Sequence, residues 1–594
     1  MNPKLIKFFH AAVPATNPVA DSYVIQKAAL MRGYVLNPQV LSEDVRAFLT
    51  DETLDPNSTF YKTWKDVTSK DRLELFIDQI RHYASTYGSG RTETPYVPEG
   101  VAEVPDYENY TYIDVISPQA LFERCRGMLY SGIALKSATV QLLCEAVIDG
   151  VNSGVGTVDI DSVRNREALV VLCKALGRRP SDPVGLLRYI VYVATAQTLL
   201  ICSDTLVGSI KAEAEAFNFS TLSELELQKL ASIFYRFKPL LLAFRGLDHS
   251  RNRVYINRIR RLAPRFHKPL VKGFWETVLS AKPSVEELEK HLPSASSFKL
   301  VTVIQAARER LLSMDERRPK QMYIIRNGTV FTAPFRAAAN PSDRPYYETL
   351  VAFLESSLAA RLSPKACSVR FPEGLELTCP ASEKNFIGNL PFGSCYKLKG
   401  HNFFGIYWRN VWGTRDFDLS FIDWKGVKVG WNENYNTGTT IYSGDLTDAD
   451  PEASEVIYCS GVCPDGTIMC NRYDGEPGSR FRFFFGQEEI ADLQRNYMVR
   501  PDSIVVNEEL QSDSAEKMLG IVCGAKVYLM DLGAGNSRVS MGLRPGEKEL
   551  IMARKALSFI SLRQLLLKAG FCESDTPELD LEKLDKDTLI TLFS

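Results

Sequence analysis

FFGIYWRNVWGTRDFDLSFIDWKGVKVGWNENYNTGTTIYSGDLTDADPEASE, residues 403–455, is the stretch that decides the fold. Its first part, Phe403 to Trp412, is aromatic and alternating, which is typical of a strand. A Gly-Thr turn follows, and a second strand begins at Asp416. Side chains two residues apart on a strand share a face. We therefore expect two faces on this strand, an acidic one with Asp416, Asp418 and Ser420, and an apolar one with Phe417, Leu419 and Phe421.

A second acidic cluster follows in a loop that Ser443-Gly444 opens. Its members are Asp445, Asp448, Asp450, Glu452 and Glu455. Hard cations such as Ca²⁺ take six to eight oxygen ligands from carboxylates, carbonyls and waters. A strand with the pattern DxD that faces an acidic loop can supply such oxygens. The alternative is that these residues lie on an outer strand face and in a turn, where water solvates them.

The runs DFDLSF and YSGDLTDA, followed by Ala453-Ser454-Glu455, resemble the TerD domain of the tellurium-resistance stress proteins. More closely, the chain resembles a TerD-associated bacterial family of large proteins. That family joins a long, mostly helical N-terminal region, often with a RING-type zinc finger, to a TerD-like β-sandwich. The resemblance implies a calcium-binding antiparallel sandwich in the C-terminal half.

The family's acidic positions carry over onto individual residues of this chain. Asp416 and Asp418 match the DxD strand, Asp445 matches the aspartate of the family's Gly-Asp-Asn loop, and Asp448 and Glu455 match its acidic tail less closely. The chain departs from the family at Leu446, which stands in place of the asparagine. The resemblance therefore implies a Ca²⁺ site at Asp416, Asp418, Asp445, Asp448 and Glu455.

Length and composition indicate a multidomain globular chain. At 594 residues, about three to five domains are expected. Apolar content is 45%, charged content is 24% and the net charge is −2, so no global charge draws the chain to nucleic acid or membrane. We expect a multidomain α+β protein, with a mostly α-helical N-terminal region, then a TerD-like antiparallel β-sandwich and a C-terminal helical tail.

Periodicity and turn residues divide the chain. We predict an N-terminal helical domain (1–93), a proline-rich arm (94–109), a helical domain (110–320), a hairpin and connecting helix (321–365), the sandwich (366–545) and C-terminal helices (546–594). Asn327-Gly328 is typical of the tight turn of a hairpin. The segment Glu547 to Lys568 predicts one long helix, and Leu579 to Leu592 a short amphipathic one.

Within the sandwich, short polar-bounded runs predict strands. They are Ser368–Phe371, Cys395–Lys399, Phe403–Trp412, Phe417–Ile422, Thr439–Tyr442, Val456–Cys459, Phe481–Phe485 and Lys526–Leu532. The glycine-rich run Leu532 to Ser537 lacks the Lys-Ser/Thr of a P-loop and a full GxGxxG, so we predict a tight hairpin turn there.

The strongest basic patch lies in the predicted helical domain. It comprises Arg251, Arg253, Arg258, Arg260, Arg261, Arg265, Lys268 and Lys272, with aromatic residues between them. Such a pattern can bind nucleic-acid phosphates and stack on bases. A helix face that pairs with acidic helices in a near-neutral chain explains it more simply.

No catalytic motif stands out. The six histidines lie outside HExxH, GxSxG and kinase patterns. The twelve cysteines include no CxxC pair, and the cluster Cys459, Cys463 and Cys470 lacks a second ligand pair, so we expect reduced cysteines in strands and no RING finger. We see no segment typical of a secretion signal or a membrane span, and we expect a cytoplasmic protein.

Two function hypotheses follow. The first is a non-enzymatic interaction or scaffold protein that binds other proteins through an ion-ordered surface, with a role in bacterial stress response or tellurium-resistance-associated defence. The alternative is a structural assembly protein, of a phage particle or an intracellular filament, that bridges copies of itself through its arm and tail. RNA binding by the basic patch is a third, weaker hypothesis.

Overall fold

A computed structural model describes the chain except residues 17–21, 62–63, 89–106, 108–109, 248, 317–318, 325–329, 336–339, 489–497 and 543–546. The chain is α+β. It forms two compact units. The larger unit comprises Met1–Val115 and Lys282–Phe593, and the helical unit comprises Ile116–Ala281. The predicted division into smaller domains stays a prediction, and most of the proline-rich arm at 94–109 lies outside the described residues.

The N-terminal segment of the larger unit mixes helices with short strands. Its elements are α1 (Pro3–Phe9), β1 (Ala11–Ala12), α2 (Ser22–Leu30), β2 (Tyr34–Leu36), α3 (Glu43–Asp51), α4 (Trp64–Thr68), α5 (Arg72–Gly88) and β3 (Thr111–Val115). The strands form a parallel sheet in the order β1-β3-β2. The sequence predicts helices in this segment and a short strand at Tyr110 to Val115, which corresponds to β3. Strands β1 and β2 were missed, because strands of two or three residues leave no period to detect.

The helical unit contains only helices and short turns in its described residues. They are α6 (Pro118–Tyr130), α7 (Ser137–Asn152), α8 (Arg166–Ala175), α9 (Pro183–Thr195), α10 (Asp204–Ala212), α11 (Glu224–Ser232), α12 (Lys238–Ala243), α13 (Arg253–Phe266) and α14 (Phe274–Ala281). In the sequence, Ser181-Asp182-Pro183 predicts a helix start with Asp182 as the cap, and the structure confirms it for α9. The Asp182 side chain accepts hydrogen bonds from the amides of Val184 (3.1 Å) and Gly185 (2.9 Å), and Pro183 takes the first helical position.

The larger unit resumes with α15 (Val285–His291), α16 (Ser297–Ser313), β4 (Lys320–Ile324), β5 (Val330–Pro334) and α17 (Arg344–Leu362). Strands β4 and β5 pair antiparallel, as the hairpin prediction requires. Its Asn327-Gly328 turn lies outside the described residues.

The following strands are β6 (Ser368–Arg370), β7 (Leu375–Glu376), β8 (Cys395–Lys397), β9 (His401–Trp408), β10 (Thr414–Asp423), β11 (Lys428–Val429), β12 (Thr440–Tyr442), β13 (Ala453–Ser460), β14 (Gly466–Gly475), β15 (Ser479–Glu488), β16 (Ile504–Ser512), β17 (Glu516–Cys523) and β18 (Lys526–Gly535). In the described chain, two antiparallel sheets form, with orders β11-β10-β14-β17-β18-β8-β7 and β12-β13-β9-β15-β16. We call these twelve strands, β7 to β18, the two-sheet module.

The tail contains α18 (Glu547–Ala556), α19 (Leu562–Lys568), β19 (Cys572–Glu573), β20 (Leu579–Asp580) and α20 (Lys586–Phe593). The single helix predicted at 547–568 is therefore wrong, because Ser561 caps a second helix there. The turn predicted at 532–537 is also wrong, since β18 continues to Gly535 opposite β17. Strand β6 pairs in parallel with β19 and β20 instead of joining either sheet of the module.

A single hydrophobic core joins the two sheets. Strands β9, β13 and β15 are buried on both faces, as expected of central strands rich in aromatic and β-branched residues. Phe404 stacks on Phe421 with ring centroids 6.3 Å apart, and Phe417 meets Phe481 at 4.9 Å. The apolar set predicted on β10 therefore lies in this core.

Further layers cover the outer faces of the sheets. Trp64 and Val67 of α4 and Leu75 of α5 belong to the same hydrophobic cluster as the two sheets, and Trp64 contacts Tyr458 of β13. On the other side, Ile551 and Met552 of α18 pack with residues of β14, β17 and β18. The N-terminal segment therefore packs against the two-sheet module.

Candidate metal centre

Strand β10 carries the first two predicted ligands. It pairs antiparallel with β14 along its length and with β11 only near its end. The pairing with β14 is irregular on both sides of Asp416. Asp416 and Asp418 are 4% and 3% exposed. The alternative of a solvated acidic strand face is therefore wrong for these residues, because other elements of the larger unit cover this part of β10.

The third predicted ligand, Asp445, follows β12 in a loop that contacts the N-terminal segment. The amide of Tyr61 donates to the carbonyl of Ser443 at 3.1 Å. Gly444 has φ +100°, and a Cβ there would lie 2.7 Å from Phe60, so a glycine is required for both conformation and space. These constraints fix the position of Asp445, which is 2% exposed.

Three carboxylates converge. One oxygen from each of Asp416, Asp418 and Asp445 lies within 4.8 Å of the others. Asp416 Oδ1, Asp418 Oδ2 and the buried Ser420 Oγ have no hydrogen-bond partner among the residues that the structure describes. Buried carboxylates are normally paired or bound to a metal, because an uncompensated charge is costly away from water. This geometry fits a bound divalent cation.

The convergence of these buried carboxylates is electrostatically unfavourable, as the pKa values of Asp416 and Asp418 show. Burial raises the pKa of Asp416 well above its ordinary value, and Asp445 raises it further. Burial also raises the pKa of Asp418, with added repulsion from Asp416 and Asp445. Without a cation, these carboxyl groups therefore hold protons to a higher pH than exposed aspartates do.

One buried ammonium group offsets part of this charge. Lys428 is 1% exposed, and its Nζ donates to the carbonyl of Ser540 at 2.7 Å and to the Asn432 side chain. Burial lowers the pKa of Lys428 to about 8, against the attraction of Asp418 and other nearby carboxylates. One ammonium group cannot balance three carboxylates, so the site can accommodate the positive charge of a bound cation.

The two weaker ligand predictions have different outcomes. Glu455 is buried beside the triad, and burial and Asp445 raise its pKa, but its two oxygens accept the amides of Leu419 (2.7 Å) and Leu446 (3.2 Å). Asp448 is half-buried and accepts a hydrogen bond from the side chain of Asn410. The structure thus brings together Asp416, Asp418 and Asp445, with Glu455 beside them bound to two backbone amides and Asp448 bound to Asn410.

His82 of α5 is a neighbour that sequence reasoning missed. Its Nε2 lies 3.6 Å from Asp445 Oδ2, and both side chains are 2% exposed. The ring of Phe60 contacts the His82 ring edge-to-face at 5.2 Å. Tyr435 is also buried near Asp445. Burial raises the pKa of Tyr435 well above its ordinary value, and the charge of Asp445 raises it further. No local motif marks His82, since its partner is far along the chain.

The predicted basic patch lies on and after α13. Ile256, Ile259 and Ala263 bury one face of this helix. Arg258 pairs with Glu224 of α11 at 2.7 Å, and Arg251 pairs with Glu215 at 2.9 Å. Arg260, Arg261, Arg265, Lys268 and Lys272 are exposed, and Arg253 is half-buried. Pairing with acidic neighbours, the simpler explanation of the patch, thus holds for two of its arginines, while nucleic-acid binding stays a prediction.

The three cysteines of the predicted cluster lie in two strands of the module and in the connection between them. Cys459 is in β13, Cys470 is in β14, and Cys463 is in the connection between these strands. The sulfur atoms of Cys459 and Cys463 are 3.2 Å apart and buried. All three cysteines are free thiols in this structure.

Within the described residues, no helix combines the length and apolarity that a bilayer crossing needs. Comparison of the chain with protein-family models, with curated proteins and with solved structures gives no match. The functional argument therefore depends on the geometry of this chain's own residues.

Proposed function

We propose that this chain is a non-enzymatic interaction protein whose two-sheet module is a TerD-like β-sandwich that binds a divalent cation. The observation that carries the proposal is the convergence of three buried carboxylates, two of which have oxygens without a hydrogen-bond partner among the described residues. Asp416, Asp418 and Asp445 would hold the ion. Ca²⁺ is the ion that the resemblance implies.

In this proposal the cation supplies positive charge that the site lacks. It neutralises repulsion between β10 and the loop at Asp445, and thereby fixes the loop against Phe60 and Tyr61 of the N-terminal segment. The bound ion thus orders the surface formed by the loop and α5. Among the described residues, the Ser420 hydroxyl beside the triad has no hydrogen-bonded base that could activate it as a nucleophile, which favours binding over catalysis.

The outer side of α5 is the surface that suits a protein partner best. Leu73, Phe76 and Ile80 are more than half exposed there, while Leu75 and His82 of the same helix are buried. An exposed apolar face on an otherwise docked helix is typical of a protein-binding surface. The proposal places this role in the cytoplasm, in a bacterial stress or defence response of the kind associated with tellurium-resistance proteins.

Calorimetric titration of the full chain, first stripped with a chelator, tests the proposal. We expect divalent-cation binding by the unaltered chain and its loss in the double variant Asp416→Asn/Asp445→Asn. Asp450→Asn is the matched control, because Asp450 is an exposed acidic residue of the same loop. Absence of binding heat and of any shift in melting temperature with millimolar Ca²⁺, Mg²⁺ or Mn²⁺ would refute the proposal.

The assembly hypothesis stays a second prediction with less to support it. The C-terminal tail packs on its own chain, because Lys365 Nζ donates to the carbonyls of Thr591 (3.0 Å) and Leu592 (2.9 Å), and Phe298 stacks on Phe593. A tail docked in this way does not extend toward a neighbouring copy.

A further inference from the structure

The face of α5 that turns to the two-sheet module ends at the acidic site. Leu75, Asp78 and His82 recur at helical spacing along this face. Asp78 receives hydrogen bonds from Lys70 Nζ at 2.5 Å and from Tyr61 Oη at 3.4 Å, so contacts away from the triad orient the helix. These contacts, which do not involve the carboxylates of the triad, position His82 beside Asp445.

The distance between His82 and Asp445 suits two ligands of one ion. At 3.6 Å, Nε2 and Oδ2 are too far apart for a hydrogen bond. Two atoms each bound at about 2.1 Å to one metal lie roughly 3–3.5 Å apart. Among the described residues, ligand oxygens of Asp416, Asp418 and Asp445 lie within 4.8 Å of one another, and His82 is outside that group. The site must therefore close around an ion to bring the imidazole nitrogen to ligand distance.

We propose that His82 supplies a nitrogen ligand beside Asp416, Asp418 and Asp445, so that the site takes a first-row divalent ion such as Mn²⁺ or Zn²⁺ in preference to Ca²⁺. The inference rests on the proposed function and specifies its ion. Ca²⁺ is bound by oxygen atoms in proteins, whereas imidazole together with carboxylates suits first-row transition ions. A further consequence is that the ion joins α5 to the two-sheet module.

Mn²⁺ is the probe that tests this inference directly, because pulsed electron paramagnetic resonance detects a coordinated imidazole through its nitrogen nuclei. We expect nitrogen modulation in the Mn²⁺-loaded full chain. His82→Gln should abolish that modulation and weaken Mn²⁺ binding by about tenfold or more while changing Ca²⁺ binding little. His267→Gln is the control, since His267 is exposed on the helical unit and should leave the spectrum unchanged.

The outcomes separate the two proposals. Mn²⁺ binding that needs Asp416 but shows no nitrogen modulation would overturn the role of His82 and leave the cation site in place. Tighter binding of Ca²⁺ than of Mn²⁺ would overturn the ion preference. Binding of neither ion would overturn both proposals. The spectrum of the unaltered chain decides the ligand question even where His82→Gln does not fold.

Discussion

Two buried ionic clusters in the larger unit differ in how their charge is balanced. In the first, Glu52 is 6% exposed and its carboxylate accepts from Lys7 Nζ (3.1 and 3.2 Å), Arg482 Nη1 (3.2 Å) and Tyr34 Oη (3.2 Å). The chain itself supplies the cations. Although burial opposes ionisation, attraction to Lys7 and Arg482 lowers the pKa of Glu52 to about 2.

In the second cluster, the triad of Asp416, Asp418 and Asp445, the balance is reversed. Burial raises the pKa of Asp416 and of Asp418, and the nearest buried ammonium, on Lys428, has its own pKa lowered by burial. The carboxylates of both clusters are buried. What distinguishes a structural ion cluster from a binding site is therefore the counter-charge that the chain provides, and the direction of the pKa shift reports it.

The largest effect on stability is expected when the Glu52 cluster loses one of its cations. Arg482→Leu should lower the free energy of unfolding by about 3–5 kcal/mol, because it leaves Glu52 buried with Lys7 as its remaining cation. Denaturant unfolding measures this loss. Arg480→Leu is the control, since Arg480 lies on β15 as Arg482 does and forms a partly exposed pair with Glu509 of β16, which should contribute about 1 kcal/mol or less. An equal loss of unfolding free energy in both variants would contradict the special importance of the buried Glu52 cluster.

The pH dependence of stability should be the next largest effect. Because the folded pKa of Glu52 is below its ordinary value of 4.5, its ionisation stabilises the fold above about pH 4.5, and that stabilisation is lost as the pH falls toward 2. The loss should reach about 3 kcal/mol by pH 2, since each unit of pKa shift corresponds to about 1.4 kcal/mol, and about 1.4 kcal/mol of it should appear between pH 5.5 and 3.5. Unfolding curves at pH 5.5, 4.5 and 3.5 for the unaltered chain and Glu52→Gln measure it. If the stability of the unaltered chain and of Glu52→Gln depended on pH in the same way, Glu52 would not be the group responsible.

The smallest effect is expected at the triad, with the opposite sign. Asp418→Asn in chelator at pH 8 should raise the free energy of unfolding by about 1–2 kcal/mol, because it replaces a destabilised buried carboxylate by a neutral group of the same shape. Thermal and denaturant unfolding check this change. The same variant should lose any stabilisation by added divalent cation. A loss of stability in chelator would show that the carboxylate is compensated by the chain, as Glu52 is.

Parts of this arrangement were predictable because they depend on local spacing. The α+β class, the antiparallel strands around residues 403–422 and the apolar set at Phe417, Leu419 and Phe421 follow from alternation along the chain. The cap of α9 follows from Asp182 and Pro183. Strands β14, β16 and β17 were missed, as they contain polar residues that blur the alternation. Strands β14 and β17 pair with neighbours on both sides, whereas β16 is an edge strand that pairs with β15.

The sequence by itself determined which carboxylates were candidate metal ligands, since both the DxD pattern on a strand and the Asp after Ser-Gly are local patterns. Only the tertiary structure decided which of them converge. Glu455 and Asp448 are engaged by Leu419, Leu446 and Asn410, and His82 arrives from a helix in the N-terminal segment. The physical reason is that strand spacing fixes only neighbours two residues apart, whereas burial and counter-charge depend on elements that packing brings from distant parts of the chain.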